Sequence, residues 1–336
     1  MGPWCRAGAR LPTPVCRPSA ARLPCVTPPG PERPRIVAAV VTFNRLELLR
    51  RLVARLREVP QVDEVVVVDN DSSDGTGAWL AEVAATPGTP VRPRLLPENR
   101  GGAGGFREGL DAAVELGADL VWLMDDDGMP DLDCLERLLV HDGALDFWGP
   151  AVVDAERPDR LVFPIRLPGR ATVVHDMAAV RAAAVDGLIR DVVIPFNGVL
   201  VTRELVQRIG SVRAELFIWG DDHEYRLRAE RAGARIATVV DATVRHPSVG
   251  DLGTPMLGGR MTYNHSPSDL KHYCMARNNL LNLREYRGPL HALAFVAKTV
   301  WFYLVTRRDL GRLRLSFSAF VAGLRGDFTG HRRFLA

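Results

Sequence analysis

Val121-Trp122-Leu123-Met124-Asp125-Asp126-Asp127-Gly128 joins an apolar run directly to three consecutive carboxylates. The apolar half reads as a buried strand. Placing that much negative charge at the end of a buried strand costs stability unless something positive sits there. Carboxylate oxygens are hard ligands suited to Mg²⁺ or Mn²⁺, ions that usually bring a substrate's phosphates with them. An isolated Asp-Asp-Asp is ordinarily a solvated acidic turn, so the surrounding sequence has to decide.

Upstream the pattern is regular. Residues 36–42 form a short β-rich apolar run, and 45–58 carry Leu46, Leu49, Leu52, Val53 and Leu56 at helical spacing. A second apolar run, 65–68, leads into Asp69-Asn70-Asp71-Ser72-Ser73-Asp74-Gly75-Thr76, then a helix to Ala84 and a strand over 91–96. Glycine-rich 99–105 opens a helix to about Leu116, and 119–124 is the strand that feeds the carboxylates. Strands that alternate with helices and are apolar throughout predict an α/β fold, with a parallel sheet covered on both faces. Ligands of such sheets sit beyond the carboxyl ends of the strands. The polar clusters 42–45, 69–76 and 125–127 each follow a strand end, so they should converge on one rim.

Gly101-Gly102-Ala103-Gly104-Gly105 fails as a dinucleotide fingerprint, because Arg107 stands where a third glycine is needed. A small-residue loop opening a helix still lets backbone N–H groups approach an anion or a sugar. A plain tight turn is the competing reading.

Downstream, 149–190 show little pattern, and 196–201 read as a strand. Leu216-Phe217-Ile218-Trp219-Gly220 precedes Asp221-Asp222-His223-Glu224-Tyr225-Arg226-Leu227-Arg228, which starts a helix to about Ala232. Acidic residues at a helix N-terminus suit capping and the macrodipole. Two adjacent aspartates after so apolar a segment are more than a cap needs, and one of them is a candidate general base. His246, in Val244-Arg245-His246-Pro247, ends a strand that begins near Arg235. A metal or diphosphate contact competes there with a structural role.

The 336 residues are 47% apolar and 25% charged, enough for a sizeable core plus an appendage. A net charge of +3 gives little support for a nucleic-acid partner. Cys5, Cys16, Cys25, Cys134 and Cys274 form no CxxC pair, so neither a disulfide framework nor a zinc site is expected, and a reducing cytosol fits. Residues 1–34 are rich in Pro, Arg and Ala and lack the apolar core of a secretory signal. They read as a disordered tail or as the product of a start site placed too early.

These clusters in this order resemble the family 2 glycosyltransferases with the GT-A fold. The resemblance rests on Val41-Thr42-Phe43-Asn44-Arg45, Val68-Asp69-Asn70, Asp74-Gly75-Thr76, Asn99 with the glycine loop, and Asp125-Asp126-Asp127. Trp219-Gly220-Asp221-Asp222-His223-Glu224-Tyr225, His246 and Arg277-Asn278 complete it, so that it spans roughly 35–282. It implies a Rossmann-like, mostly parallel sheet with helices on both faces and a C-terminal helical appendage. The implied reaction is an inverting, metal-assisted transfer of a sugar from a nucleotide diphosphate to a hydroxyl acceptor. Gly101–Phe106 as a segment (101–106), 122–130, 160–164, Phe196-Asn197-Gly198, Gly259-Arg260-Met261 and 302–309 are similar to actinobacterial galactofuranosyltransferases. Those enzymes start cell-wall galactan on a polyprenyl-diphosphate-linked glycan.

Carried over, the resemblance makes Asp69 the reader of the donor's uracil or ribose, with Thr42 and Arg45 lining the same pocket. Asn44, Asn99, Gly101, Gly102, Gly104, Asp126 and Arg277 join the substrate-binding set. Asp125 touches nucleotide and metal, Asp127 is the main ligand of Mn²⁺ or Mg²⁺, and His246 completes the metal–diphosphate site. Asp222 is the catalytic base, and Asp221 is its neighbour on the acceptor side. The resulting division is a tail at 1–34, a catalytic domain at 35–248 and an acceptor- or membrane-associating region at 249–336.

Residues 290–305 are apolar except for His291, Lys298 and Thr299. Arg307 and Arg308 follow, then Leu310, Leu313, Phe317, Phe320, Val321 and Leu324 at helical spacing. The run is shorter than the roughly twenty residues of a spanning helix. It suits a segment lying on a membrane surface or a helix packed on the catalytic domain. The lipid-linked acceptor implied by the resemblance favours the first, which places the enzyme in the cytoplasm, peripheral at the inner face of the cell membrane.

Within the same chemistry, the alternative is a rhamnosyltransferase using dTDP-rhamnose rather than UDP-galactofuranose. A sugar-phosphate nucleotidyltransferase should carry a basic glycine-rich loop near the first strand, and residues 41–45 contain no glycine. A non-catalytic sugar-binding protein has no need of the acidic pair at 221–222.

Overall fold

In the computed structural model, which describes residues 33–169, 172–250 and 253–335, every residue of strand β1 (Ile36–Thr42) is buried. The strand sends Ile36, Ala38 and Val40 into one apolar layer and Val37, Ala39 and Val41 into another. A continuous apolar run is therefore the only composition that satisfies both faces.

After β1 come α1 (Leu46–Glu58), β2 (Glu64–Asp69), α2 (Thr76–Ala84), β3 (Val91–Leu95), α3 (Gly101–Glu115) and β4 (Leu120–Asp125). The middle of the chain adds β5 (Met129–Pro130), α4 (Cys134–Leu139), β6 (Phe147–Asp154), β7 (Arg160–Arg166), β8 (Val173–Asp176) and α5 (Met177–Ala183). Then follow β9 (Leu188–Arg190), β10 (Asn197–Thr202), α6 (Arg203–Ile209), α7 (Asp221–Arg231) and β11 (Ile236–His246). A small antiparallel pair, β12 (Thr254–Met256) and β13 (Met261–Tyr263), precedes α8 (Asp269–Asn282), α9 (Pro289–Trp301) and α10 (Leu310–Arg325).

The main sheet runs β3-β2-β1-β4-β10-β6-β11-β5. Pairing is parallel from β3 to β4 and again between β6 and β11; β10 and β5 run against the rest. Leu49, Leu52 and Leu56 of α1, Leu80 of α2 and Leu135 of α4 cover one face. Phe106 and Leu110 of α3, Leu205 of α6 and Tyr225 of α7 cover the other. The mostly parallel, two-faced α/β sheet is as expected, with one refinement. Because β10 is reversed, its first residue, Asn197, lies beside Met124 and reaches the same rim as the carboxyl ends of β1 and β4.

The unpatterned stretch 149–190 contains β6 to β9. β7, β8 and β9 lie at the margin of the sheet, and two-sided burial imposes no pattern on them. Residues 1–32, with the expected tail and Cys5, Cys16 and Cys25, lie outside the described residues; Cys134 and Cys274 are buried free thiols.

The carboxyl-terminal helices refine the expectation in two ways. The apolar run is longer than it reads: Pro289–Thr306 is one 18-residue helical stretch of mean hydropathy 1.3, only 22% buried, long and apolar enough to cross a membrane. In α10, the face packed on α8 is made of Ser316, Ala319, Ala322 and Gly323 together with Phe320. Leu310, Phe317, Val321 and Leu324 face outward. Small residues let two helices approach closely, so the large apolar stripe is the one left uncovered.

Candidate active site

Three strand ends meet at the rim. Thr42 is paired with Asp69 and Val41 with Asp125, so β1, β2 and β4 finish level with one another. Thr42 and Asp69 are buried, and Asp69 Oδ1 accepts the Ser72 amide at 3.1 Å. Asn44, in a left-handed backbone conformation, donates its amide to Ser72 Oγ and accepts the Ser73 amide at 2.7 Å through Oδ1. It fastens the β1–α1 loop to the β2–α2 turn. Asp74 continues the fastening by accepting the Leu46 amide at 2.9 Å.

The glycine-rich opening of α3 makes its closest approach to protein rather than to an open cleft. Asn99 Oδ1 accepts the Gly101 amide at 2.8 Å, buried Asn70 accepts the Arg100 amide at 2.8 Å, and the Ala103 amide donates to the Phe217 carbonyl at 3.0 Å. A Cβ on Gly101 (φ +69°) would stand 2.1 Å from that same carbonyl oxygen. Gly104 is buried against the stem of Arg100, and Gly105 lets α3 settle on Val41 of β1. Gly102 has open space where a side chain would be. The amides expected to meet an anion are thus largely engaged, because a distant loop occupies the place.

The three carboxylates after β4 have different environments. Asp126 is buried, accepting from Thr42 Oγ1 at 2.7 Å and from Arg45 at 3.0 Å. Burial nevertheless raises its pKa. Asp127 accepts from Arg45 at 2.8 Å through Oδ2, while its Oδ1 lies 3.2 Å from His246 Nε2. Burial opposes ionisation of Asp127, but His246 and Arg45 outweigh it and hold the carboxyl below its usual range. Asp125 is pushed well above its usual pKa by burial first, then by charge on Asp127, Asp126 and Asp221.

Among the described residues no three His, Cys, Asp or Glu side chains are grouped as metal ligands. The expected trio of Asp125, Asp127 and His246 is therefore not assembled; the structure brings together Asp127 and His246. The guanidinium of Arg45 already pairs with Asp126 and Asp127. The pair itself fits a cation. His246 Nδ1 lies 2.7 Å from the Pro247 carbonyl, which only accepts, so Nδ1 carries a proton. Burial lowers the imidazole's pKa, but Asp127 and the Pro247 carbonyl outweigh it and raise it, which favours a second proton on Nε2 in the 3.2 Å gap to the buried Asp127 Oδ1. A cation taking that proton's place would meet an imidazole nitrogen and a carboxylate oxygen, a suitable donor set for Mn²⁺.

The second acidic group starts α7. Asp221 is buried and Asp222 half-buried, with Asp222 Oδ1 accepting the His223 amide at 2.6 Å. Burial and the neighbouring Asp222 push Asp221 up to about 8. Burial also raises Asp222, and it lowers His223 to about 4, helped by Arg226 and Arg287. The segment before them is bent, with Phe217 and Trp219 in left-handed conformations that cost about 1–3 kcal/mol each unless the surroundings impose them. α8 imposes them. Asn278 Nδ2 donates to the carbonyls of Leu216, Ile218 and Trp219 at 2.9, 3.1 and 2.7 Å, and Asn282 donates to that of Gly220 at 2.7 Å.

Arg277, expected to bind substrate, is instead fully buried and donates to the Leu216 carbonyl at 2.9 Å and to Asn278 Oδ1. Asn282 and the buried Glu224, which accepts from Tyr286 at 2.5 Å and Arg228 at 3.0 Å, were not singled out from sequence. The available signal was Asn278 and Asn282, four residues apart and so on one face of α8.

The Glycosyl transferase family 2 model matches residues 38–147. The galactofuranosyltransferase GlfT1 of Mycolicibacterium smegmatis is 35% identical over 289 residues, 83% of this chain and 93% of the relative. The dTDP-rhamnosyl transferase RfbF of Shigella flexneri is 24% identical over 90% of this chain and 99% of its own length. Among solved structures, the mannosyltransferase PcManGT from Pyrobaculum calidifontis, in complex with GDP-Man and Mn²⁺, superposes with a TM-score of 0.50 at 18% identity, covering 87% of this chain and 76% of that one. The sheet, its rim and the extent of the sequence match agree: the chain belongs to the family 2 glycosyltransferases and has the GT-A fold.

Proposed function

We propose that the enzyme transfers galactofuranose, with inversion, from UDP-galactofuranose to a hydroxyl of a polyprenyl-diphosphate-linked glycan in cell-wall polysaccharide synthesis. The observation that carries the reading is the joining of two acidic segments at one rim. The Asp127–His246 pair follows β4, and the bend that leads into Asp221 and Asp222 is pinned to the opening of α3 by the Ala103–Phe217 backbone hydrogen bond. Diphosphate departure and acceptor deprotonation need one group each, in one site.

Asp221 and Asp222 share the work by sharing a proton. With Asp221 pushed up to about 8, its carboxyl stays protonated near neutral pH and leaves Asp222 as the charged member. Asp222 takes the proton of the acceptor hydroxyl as that oxygen bonds to the anomeric carbon. The carbon–oxygen bond to the diphosphate breaks on the opposite face, and the nucleoside diphosphate leaves with its electron pair. Asp127 and His246 would hold Mn²⁺ or Mg²⁺, which when bound offsets the charge developing on the departing diphosphate. Asp69 and Thr42 line the nucleotide side of the rim.

The donor assignment is supported by 35% identity to a galactofuranosyltransferase against 24% to a rhamnosyltransferase. The acceptor and the placement at the inner membrane surface are supported by the outward apolar set on the stretch Pro289–Thr306 and on α10, including Leu290, Trp301, Leu304, Phe317 and Leu324. Arg307, Arg308 and Arg314 lie within the same stretch and suit an anionic surface.

The test is a competition. Purified enzyme is offered UDP-galactofuranose and dTDP-rhamnose together, with a synthetic rhamnose-terminated polyprenyl-diphosphate acceptor. A hexose mass increment on the product is expected. A deoxyhexose increment would replace the donor assignment with the rhamnosyl one.

A further inference from the structure

A cavity of about 720 Å³ runs along α7, lined by Asp222, Arg226 and Glu230 of that helix and by Arg287, with Ile165 and Pro195 among its apolar walls. Its size is that of a ligand pocket. None of Asp125, Asp126 and Asp127 lines it, so it is separate from the diphosphate side of the rim. From Asp222 to Glu230 the helix rises about 12 Å, the length of a short oligosaccharide rather than of one sugar ring.

The charges along this floor are graded. At one end is Asp222, the base. One turn on, Arg226 places its NH1 nitrogen 3.4 Å from Glu230. At the other end Arg287 grips Glu230 with both terminal nitrogens, at 3.1 and 3.0 Å. Two guanidinium groups thus share one carboxylate; besides the base, the charged lining is Arg166, Arg226 and Arg287 with Asp191 and Glu230, which leaves one positive charge in excess for an anion. A guanidinium fork matches phosphate oxygens. Arg287 also stands two residues before the exposed apolar stretch Pro289–Thr306.

We propose that this cavity is the acceptor subsite and that it sets the acceptor's direction. The reacting hydroxyl sits at Asp222, the sugars lie along α7, and the diphosphate that joins them to lipid is held by Arg226 and Arg287. The inference rests on the reading of the acceptor as a lipid-diphosphate glycan. It adds where that diphosphate binds and why the lipid leaves towards the apolar helix.

The experiment compares two acceptors with the same disaccharide, one on a short prenyl diphosphate and one on a neutral alkyl chain. Binding is measured by calorimetry with UDP saturating, alongside transfer kinetics. Wild-type protein should prefer the diphosphate acceptor by about tenfold or more, the scale of charge-assisted hydrogen bonds. In Arg287→Gln, a change at an exposed position, that preference should collapse towards one. Arg287→Lys should restore part of it, and Arg226→Gln should behave as Arg287→Gln does. If wild-type protein binds both acceptors equally, or if Arg287→Gln weakens both in the same proportion, the two arginines only brace α7 and the inference fails. If the preference and its loss are as expected but no galactofuranose is transferred, the subsite stands and the donor assignment fails.

Discussion

His246 Nε2 lies 3.2 Å from Asp127 Oδ1, while Nδ1 of the same ring is tied to the Pro247 carbonyl at 2.7 Å. The ring cannot turn away without giving up that second contact, so it presents one nitrogen to the carboxylate permanently. Phe163, packed edge-on at 5.4 Å between ring centres, blocks another direction of rotation.

The first prediction follows from that geometry. Asp127→Ala and His246→Ala should each weaken Mn²⁺ binding in the presence of UDP by at least about tenfold, and chelation should abolish turnover in the parent. Asp126→Asn should lower thermal stability more than Mn²⁺ affinity, because Asp126 is engaged by Thr42 and Arg45. Electron paramagnetic resonance titration of Mn²⁺ reads this directly. Unchanged affinity in both the Asp127 and His246 variants would remove the pair from the metal site.

Asp222→Asn should lower kcat by about 10²–10⁴-fold with donor affinity largely retained, as expected for a lost general base. Steady-state kinetics together with equilibrium binding of UDP separate the two effects. Loss of donor affinity with turnover preserved would exclude Asp222 as the base. Abolition of turnover by Asp221→Asn alone would exchange the roles of the two residues.

Asp221 gives a pH prediction that needs no substrate. Its carboxyl is pushed from the ordinary 3.8 to about 8 by burial and by Asp222. Between those values the folded chain keeps a proton that the unfolded chain has released. Stability therefore falls as pH rises through the window. Asp221→Asn has no such proton to lose, so the variant should melt above the parent at pH 8, by about 1.5 °C for each kcal/mol relieved. The gap should close near pH 4. Calorimetric melts across this range decide it; a gap that is constant with pH would mean that the carboxyl is ionised throughout.

Asn278→Ala leaves three loop carbonyls without their shared donor, a loss of about 1–3 kcal/mol. The loop before Asp221 should then relax from its left-handed turns, and kcat should fall while the KM for the donor changes little. Hydrogen exchange of residues 216–222 should quicken in the variant. Retained protection there, with kcat lost, would give Asn278 some other role.

Much of this was legible in the sequence, and particular residues show why. Strands buried on both faces, such as Ile36–Thr42, have no choice of composition, and the carboxylates after Met124 stand out against it. The marginal strands Arg160–Arg166 and Val173–Asp176, partly exposed, are under no such constraint. Arg277 read as a ligand because Arg277-Asn278 belongs to the family pattern, yet its task is to hold the Leu216 carbonyl. Helix α10 was legible only in part. Its large apolar residues, read as suiting a membrane surface, mostly face outward, whereas the small Ala319 and Ala322 that pack with Phe320 gave no signal.

One contact links the two halves of the site. The Phe217 carbonyl rests in the space left by the missing side chain of Gly101 and takes the Ala103 amide. Phe217 begins the bend that delivers Asp221 and Asp222, whereas Gly101 follows the nucleotide-side rim. The glycine therefore works as a gauge, setting how closely the opening of α3 and the bend before α7 may lie. A methyl group there would stand 2.1 Å from the Phe217 carbonyl oxygen, at a backbone angle (φ +69°) that side chains rarely adopt, so the bend that carries Asp221 and Asp222 would be pushed off its seat.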